Sequence, residues 1–179
     1  MHASFTNLLG ALAFAAQKHC GQTRKKDAGP FINHPIAVAE ILARVGLVSD
    51  LLIIEGAFLH DVLEDTETPP QELADRFGAE VLALVQELTD DMSLPKLERK
   101  RLQIETAPRL CLAAKQIRIA DKICNVQGIT TTQPADWSPQ FKREYLDWAE
   151  QVVNACRGSN VDLERHFDAV LRAKRAVLG

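Results

Sequence analysis

The chain has 179 residues, 46% of them hydrophobic and 25% charged, with a formal net charge of −3. That length and balance predict one soluble globular domain with a core large enough to need no disulfide staples. They exclude a protein that binds nucleic acid through bulk charge, so an anionic ligand must meet a local cluster of Lys and Arg.

The four cysteines, Cys20, Cys111, Cys124 and Cys156, lie far apart with no CxxC pair, which fits scattered thiols and a reducing, cytoplasmic location. The N-terminus lacks a basic segment ahead of its apolar stretch and reads as an amphipathic helix instead of a signal peptide. The longest apolar run, 51–59, is interrupted by Glu55 and is too short to span a bilayer. No membrane partner is expected.

Helical periodicity dominates, and no stretch shows the alternation of a strand. A first helix is predicted over about 4–19, ending at Gly21, followed by a basic loop rich in Gly and Pro. Pro35 suits the first turn of a second helix, which Gly46 stops. Ser49 or Asp50 caps a third helix running through about residue 65. Thr68-Pro69 opens a short fourth, Gly78 separates it from a fifth, and Pro95 begins a sixth. A seventh follows Pro108 over about 109–126, an eighth starts at Ser138-Pro139, and Asn160 caps a ninth to about 177. The expected fold is all-α, a single-domain helical bundle.

The third helix is apolar and therefore largely buried, yet its end carries His60, Asp61, Glu64 and Asp65. Residues four apart share a helix face, so His60 lies over Glu64 and Asp61 over Asp65. Carboxylates crowded at a buried helix C-terminus repel one another, lose hydration and oppose the helix dipole. A bound cation offsets all three costs. A His-Asp dipeptide arises about 0.3 times by chance in such a chain, but carboxylates at the next two correct positions lower this to roughly one or two per thousand.

Asp121 poses the same question within another apolar helix, and Asn125 stands one turn after it. Alone, Asp121 reads as a partner of Lys122 or Arg118, and His34, before Pro35, as a capping residue. Together with His60 and Asp61 they form a mixed nitrogen and oxygen set that suits manganese, iron, zinc or nickel. Basic residues gather at Arg24–Lys26, at Lys96, Arg99, Lys100 and Arg101, and at Lys115, Arg118 and Lys122. Most exposed Lys and Arg are merely solvated; three clusters in an acidic chain point to a pocket for several phosphates.

These blocks make the chain recognisable. In the order AFAAQKHCGQTRK, FINHPIAVAEIL, FLHDVLEDT, FGAEVLALVQELTDD, LPKLERKRLQ, RIADKICNV and YLDWAEQVV, the sequence resembles the small alarmone hydrolases of the RelA/SpoT superfamily over nearly its whole length. The resemblance implies an HD-type helical bundle around one manganese ion held by His34, His60, Asp61 and Asp121. It places the water-activating pair on Glu64 and Asp65. Substrate contacts would fall to Arg24, Lys25, Lys96, Asn125 and Tyr145. Two positions depart from the pattern. Phe31 stands where a tyrosine is usual, and Phe141 where some relatives carry arginine, leaving Lys142 and Arg143 as the basic side chains to compensate.

The implied reaction releases pyrophosphate from the 3′ position of guanosine 3′,5′-bis(diphosphate), or of its 5′-triphosphate relative. Two alternatives stay open from the residues alone. An HD phosphohydrolase with this core could act on a nucleoside monophosphate or another 2′- or 3′-phosphorylated nucleotide, and a non-catalytic sensor could bind the alarmone without cleaving it. Glu64 and Asp65 argue against the sensor, and the Arg24-Lys25 loop with Lys96 and Tyr145 argues against a simple monophosphatase.

Overall fold

The computed structural model describes residues 5–24, 29–130 and 137–178. Among them are ten α-helices and no strand; a single antiparallel bridge joins Thr23 to Pro30. No helix among the described residues is long and apolar enough to cross a membrane.

The helices run α1 (Phe5–Lys18), α2 (Asn33–Arg44), α3 (Leu51–Leu59), α4 (Val62–Asp65), α5 (Pro70–Phe77), α6 (Ala79–Leu88), α7 (Lys96–Thr106), α8 (Leu112–Gln127), α9 (Pro139–Cys156) and α10 (Val161–Leu178). Short 3₁₀ turns precede and follow α8, at Ala107–Arg109 and Gly128–Thr130. Local chemistry sets the starts. Asp50 accepts from the Leu52 amide at 2.9 Å. Ser138 accepts from Phe141 at 3.1 Å, and Asn160 accepts from both Asp162 and Leu163 at 3.1 Å. Each satisfies donors that a helix N-terminus otherwise leaves orphaned. Gly78, at φ 89°, turns α5 into α6 where a side chain would be strained.

The predicted third helix is two. The hydrogen-bonded ladder breaks at His60 and Asp61, whose backbones stay near helical values (Asp61 at φ −94°, ψ −5°). No Gly or Pro marks the break in the sequence. The start of α2 also differs: it begins at Asn33, so His34 sits inside the first turn instead of ahead of it.

Helix α8 forms the axis, packing against α2, α3, α6, α9 and α10. Ile117, Ile119, Ala120, Ile123 and Val126 are fully buried along it. Helix α3 lies across α1 and α2 and approaches α6 closely at Gly56, where a Cβ would stand 2.6 Å from Leu84 Cδ2 and 3.2 Å from Ile117 Cδ1. The centre of the bundle is therefore built from α2, α3 and α8, the three segments that carry the candidate ligands.

Candidate functional site

The break after α3 turns His60 and Asp61 towards the same point that His34 reaches from α2 and Asp121 from α8. His34 Nε2 lies 3.1 Å from Asp121 Oδ1 and 3.5 Å from Asp61 Oδ2. His60 Nε2 lies 3.2 Å from Asp61 Oδ1, and the two imidazoles meet edge-on with centroids 5.3 Å apart. One ligand atom each from His34, His60 and Asp121 falls within 4.8 Å of the others. Cations of the zinc or manganese class bind N and O donors at roughly 2.0–2.2 Å, so donors of one shell sit about 3–4.4 Å apart. The residues fit such an ion.

The orientation of His60 supports that fit. Its Nδ1 lies 2.8 Å from the Ala57 carbonyl oxygen and donates to it, which fixes the tautomer and leaves a lone pair on Nε2. That Nε2 is buried and makes no hydrogen bond among the described residues. An orphaned acceptor aimed at two carboxylates and a second imidazole is costly unless a cation lies between them.

Charge in the cluster is already polarised. Burial would raise Asp121, but the Lys122 ammonium 2.9 Å away, together with His34, holds its carboxyl well below the usual range. Burial works to lower His34, yet Asp121, Cys124 and Asp61 outweigh it and push the imidazole up to about 10. Burial lowers His60. A carboxylate cage that draws a proton onto a buried imidazole is equally a cage that draws a metal ion.

Glu64 and Asp65 flank this set on α4. The Asp90 amide donates to Glu64 Oε2 at 3.0 Å, and Arg99 stands 3.8 Å from Oε1. Burial, reinforced by the charges of Asp90, Asp61 and Asp65, raises Glu64 to about 7. Asp65 lies at the exposed rim and rises less, to about 6, from loss of water and the neighbouring Asp61. Its backbone is pinned by Gln22, whose Nε2 donates to the Asp65 carbonyl at 2.7 Å. Gln22 is held in turn by the buried His19 at 2.8 Å.

His34, His60, Asp61, Asp121, Glu64 and Asp65 open on one cavity of about 440 Å³, which also takes in Arg24, Lys96, Asn125 and Tyr145. Arg24 Nη2 donates to Asn125 Oδ1 at 2.9 Å, and Asn125 Nδ2 donates to Asp121 Oδ1 at 2.6 Å. The bridge at Thr23 and the Arg24–Gly29 backbone hydrogen bond, 3.1 Å, hold Arg24 over the metal set. Lys25 lies outside the described residues. The structure thus gathers every other sequence-predicted site residue around one space. It does not bring Lys142 or Arg143 to that space: Arg143 reaches the Leu178 carbonyl oxygen at 3.2 Å, and neither lines the cavity. The sequence reading passed over Asp90, Gln103, Trp137 and Trp148, which do line it. Asp90 carried a faint signal, as an acidic residue just past a helix end.

Comparison with known proteins places the chain among HD-domain proteins. The profile described as HD domain matches residues 11–149. The human protein named guanosine-3′,5′-bis(diphosphate) 3′-pyrophosphohydrolase MESH1 is 46% identical over 165 residues, 92% of each chain. The protein of the same name from Danio rerio is 47% identical, over 88% of each chain. A solved structure, described as a metazoan ortholog of SpoT that hydrolyzes ppGpp, superposes with a TM-score of 0.90 at 38% identity, over 97% of both chains.

Proposed function

The chain belongs to the HD domain family, and we propose that it acts as a metal-dependent guanosine-3′,5′-bis(diphosphate) 3′-pyrophosphohydrolase. The observation that carries this reading is the meeting of His34, His60, Asp61 and Asp121 beside Glu64 in a cavity walled by Arg and Lys. The names borne by its relatives give the substrate class.

In this reading the nucleotide's 3′-diphosphate lies over the four ligands. His34, His60, Asp61 and Asp121 would hold a divalent cation, manganese by family likeness, which would supply Lewis-acid chemistry that acidifies water and polarises the phosphate. Glu64, poised near pH 7, takes a proton from the attacking water, and Asp65 orients that water. The water oxygen bonds to the phosphorus nearest the ribose, the bond from that phosphorus to O3′ breaks, and O3′ leaves as a hydroxyl by taking up a proton, which balances the one Glu64 removed from water. Pyrophosphate and GDP result, or GTP from the 5′-triphosphate. Arg24, held by Asn125, and Lys96 offset charge on the phosphates. Tyr145 and Lys25 complete the substrate contacts in the same reading. The residues work as one domain, in the cytoplasm, on a small nucleotide.

Product analysis tests the proposal. Purified chain given guanosine 3′,5′-bis(diphosphate) should release pyrophosphate and GDP with manganese and neither after chelation. Orthophosphate as the first product would make it a phosphomonoesterase, and metal-dependent binding without turnover would make it a sensor.

A further inference from the structure

Helix α4 carries Glu64 and Asp65 and is four residues long. A helix that short gains too few backbone bonds to offset the cost of fixing its dihedrals. Ties from outside must therefore set where its two carboxylates stand. Glu64 has the Asp90 amide, at 3.0 Å. For Asp65 the tie runs through the backbone. A carbonyl at a helix C-terminus has no partner within the helix, and Gln22, 43 residues earlier in the chain, donates its Nε2 to the Asp65 carbonyl oxygen at 2.7 Å.

The Gln22 amide can face only one way. A carbonyl oxygen accepts and never donates, so the NH₂ group must turn to Asp65 and Oε1 to His19, whose Nδ1 lies 2.8 Å away and carries the proton. His19 is 2% exposed and lies against Phe31 with ring centroids 4.7 Å apart. Its Nε2 is buried with no hydrogen-bond partner among the described residues. Keeping a half-satisfied imidazole in the interior is costly, and the one bond it makes there is the bond that locks Gln22. The backbone is tied as well: the Gln22 amide donates to the His19 carbonyl oxygen at 3.0 Å, and the Phe31 amide donates to the Gln22 carbonyl oxygen at 2.9 Å.

Neither Gln22 nor His19 lines the cavity of the ligand set. Gln22 lines a separate groove, which shares Glu64 and Asp65 with that cavity. Thr23 and Arg24 do line the cavity, and Arg24 is bonded to Asn125 on α8. The three residues 22–24 thus run from α4 at one end to α8 at the other. We propose that Gln22, with its amide locked by His19, is a positioning residue for the hydrolysis: it sets Glu64 and Asp65 in register with Arg24 and the ligand set without touching the nucleotide. The assignment rests on the activity proposed above, and hydrogen exchange tests it without turnover.

Gln22→Met keeps the length of the side chain and loses both hydrogen bonds. It should lower kcat on guanosine 3′,5′-bis(diphosphate) about ten- to a hundredfold, with KM and bound manganese unchanged. His19→Asn places an amide nitrogen where Nδ1 stood and should keep most of the parental kcat. His19→Leu fills the space without a donor, frees the Gln22 amide to turn, and should lose kcat as Gln22→Met does. A side chain that only stabilised the fold would lower the melting temperature without this split between kcat and KM. In manganese-loaded protein, peptides covering residues 62–66 should exchange amide hydrogens faster in Gln22→Met, with those of α8 unchanged. Parental kcat or parental exchange in Gln22→Met overturns the assignment, as does a loss confined to KM or to metal content. If Gln22→Met does not fold, Gln22→Glu replaces it: the carboxylate still accepts from His19 but opposes the Asp65 carbonyl, and parental kcat there overturns the assignment too. Faster exchange at 62–66 in a chain that hydrolyses nothing would keep the tie and remove the proposed activity. Hydrolysis with no dependence on Gln22 would do the reverse.

Discussion

Replacing Glu64 by glutamine separates what this residue does for catalysis from what it does to stability. The carboxyl stands at about 7 in the fold against an ordinary 4.5, with burial the main cause. A carboxyl raised in the folded state binds its proton more tightly there than in the unfolded chain, so it destabilises the fold as pH rises. Below pH 4.5 both states are protonated and nothing is lost. Between 4.5 and 7 the loss grows, and above 7 it is constant at about 3 kcal/mol by the difference in affinity. The side chain keeps 22% of its exposure, and screening by that water brings the figure to about 2 kcal/mol. Glutamine has nearly the same shape, can still accept from the Asp90 amide, and carries no charge at any pH. Metal-stripped Glu64→Gln should therefore melt about 4–8 °C above the parent at pH 8, with the gap closing towards pH 4.5. The same variant, reloaded with manganese, should keep its metal and lose about 10²–10⁴ in kcat. Scanning calorimetry in chelator across pH 4.5–8, beside turnover assays, reads both. A melting difference that is flat with pH, or that favours the parent, would refute the assignment of a desolvated base.

Three further outcomes follow from named contacts. Asp121→Asn keeps the volume but removes a ligand charge, so metal retained after desalting, measured by elemental analysis, should fall at least about tenfold; full retention would exclude Asp121 as a ligand. Gly56→Ala sets a methyl 2.6 Å from Leu84 Cδ2 in a packed core. Overpacking there outweighs the better helix propensity of alanine and should cost about 1–2 kcal/mol, seen as a lower urea midpoint. Asn160→Ala removes the cap of α10 together with the 2.8 Å bond from Asn160 Nδ2 to the Gly46 carbonyl oxygen. It should destabilise by about 1–2 kcal/mol without changing metal content.

The candidate ligands were legible to unequal degrees. His60 and Asp61, with Glu64 and Asp65, stand out because carboxylates crowd the end of an apolar segment, whereas His34 and Asp121 have ordinary readings alone and join the set only in combination with them. The helix starts were legible singly: Asp50, Ser138 and Asn160 are residue types that satisfy orphaned amides, and all three do so. The break between α3 and α4 left no such mark. Residues 59–62 read Leu-His-Asp-Val, without Gly or Pro, and local propensity favours a continuous helix. An unbroken helix would have set His60 and Asp61 about 100° apart around its axis. Both side chains nonetheless reach His34 from α2, Asp61 Oδ2 at 3.5 Å and the His60 ring with centroids 5.3 Å apart, across the contact of α3 with α2.

The cavity wall between α7 and α9 was legible in part: Lys96 and Lys100 belong to a basic cluster that suits phosphates, and the resemblance gave Lys96 and Tyr145 as substrate contacts. Trp148 drew no role, because its spacing on α9 is that of ordinary core. Their meaning depends on which face of α7 meets which face of α9, and that is fixed by contacts such as the Trp148–Lys100 bond, 48 residues apart in sequence. The same pairing explains why Phe141, a loss of charge when judged by position, does not strip the cavity of cations. Lys96 and Lys100 stand over its ring, where a guanidinium on α9 would have repelled them. Both lysines line the cavity, and neither Lys142 nor Arg143 does.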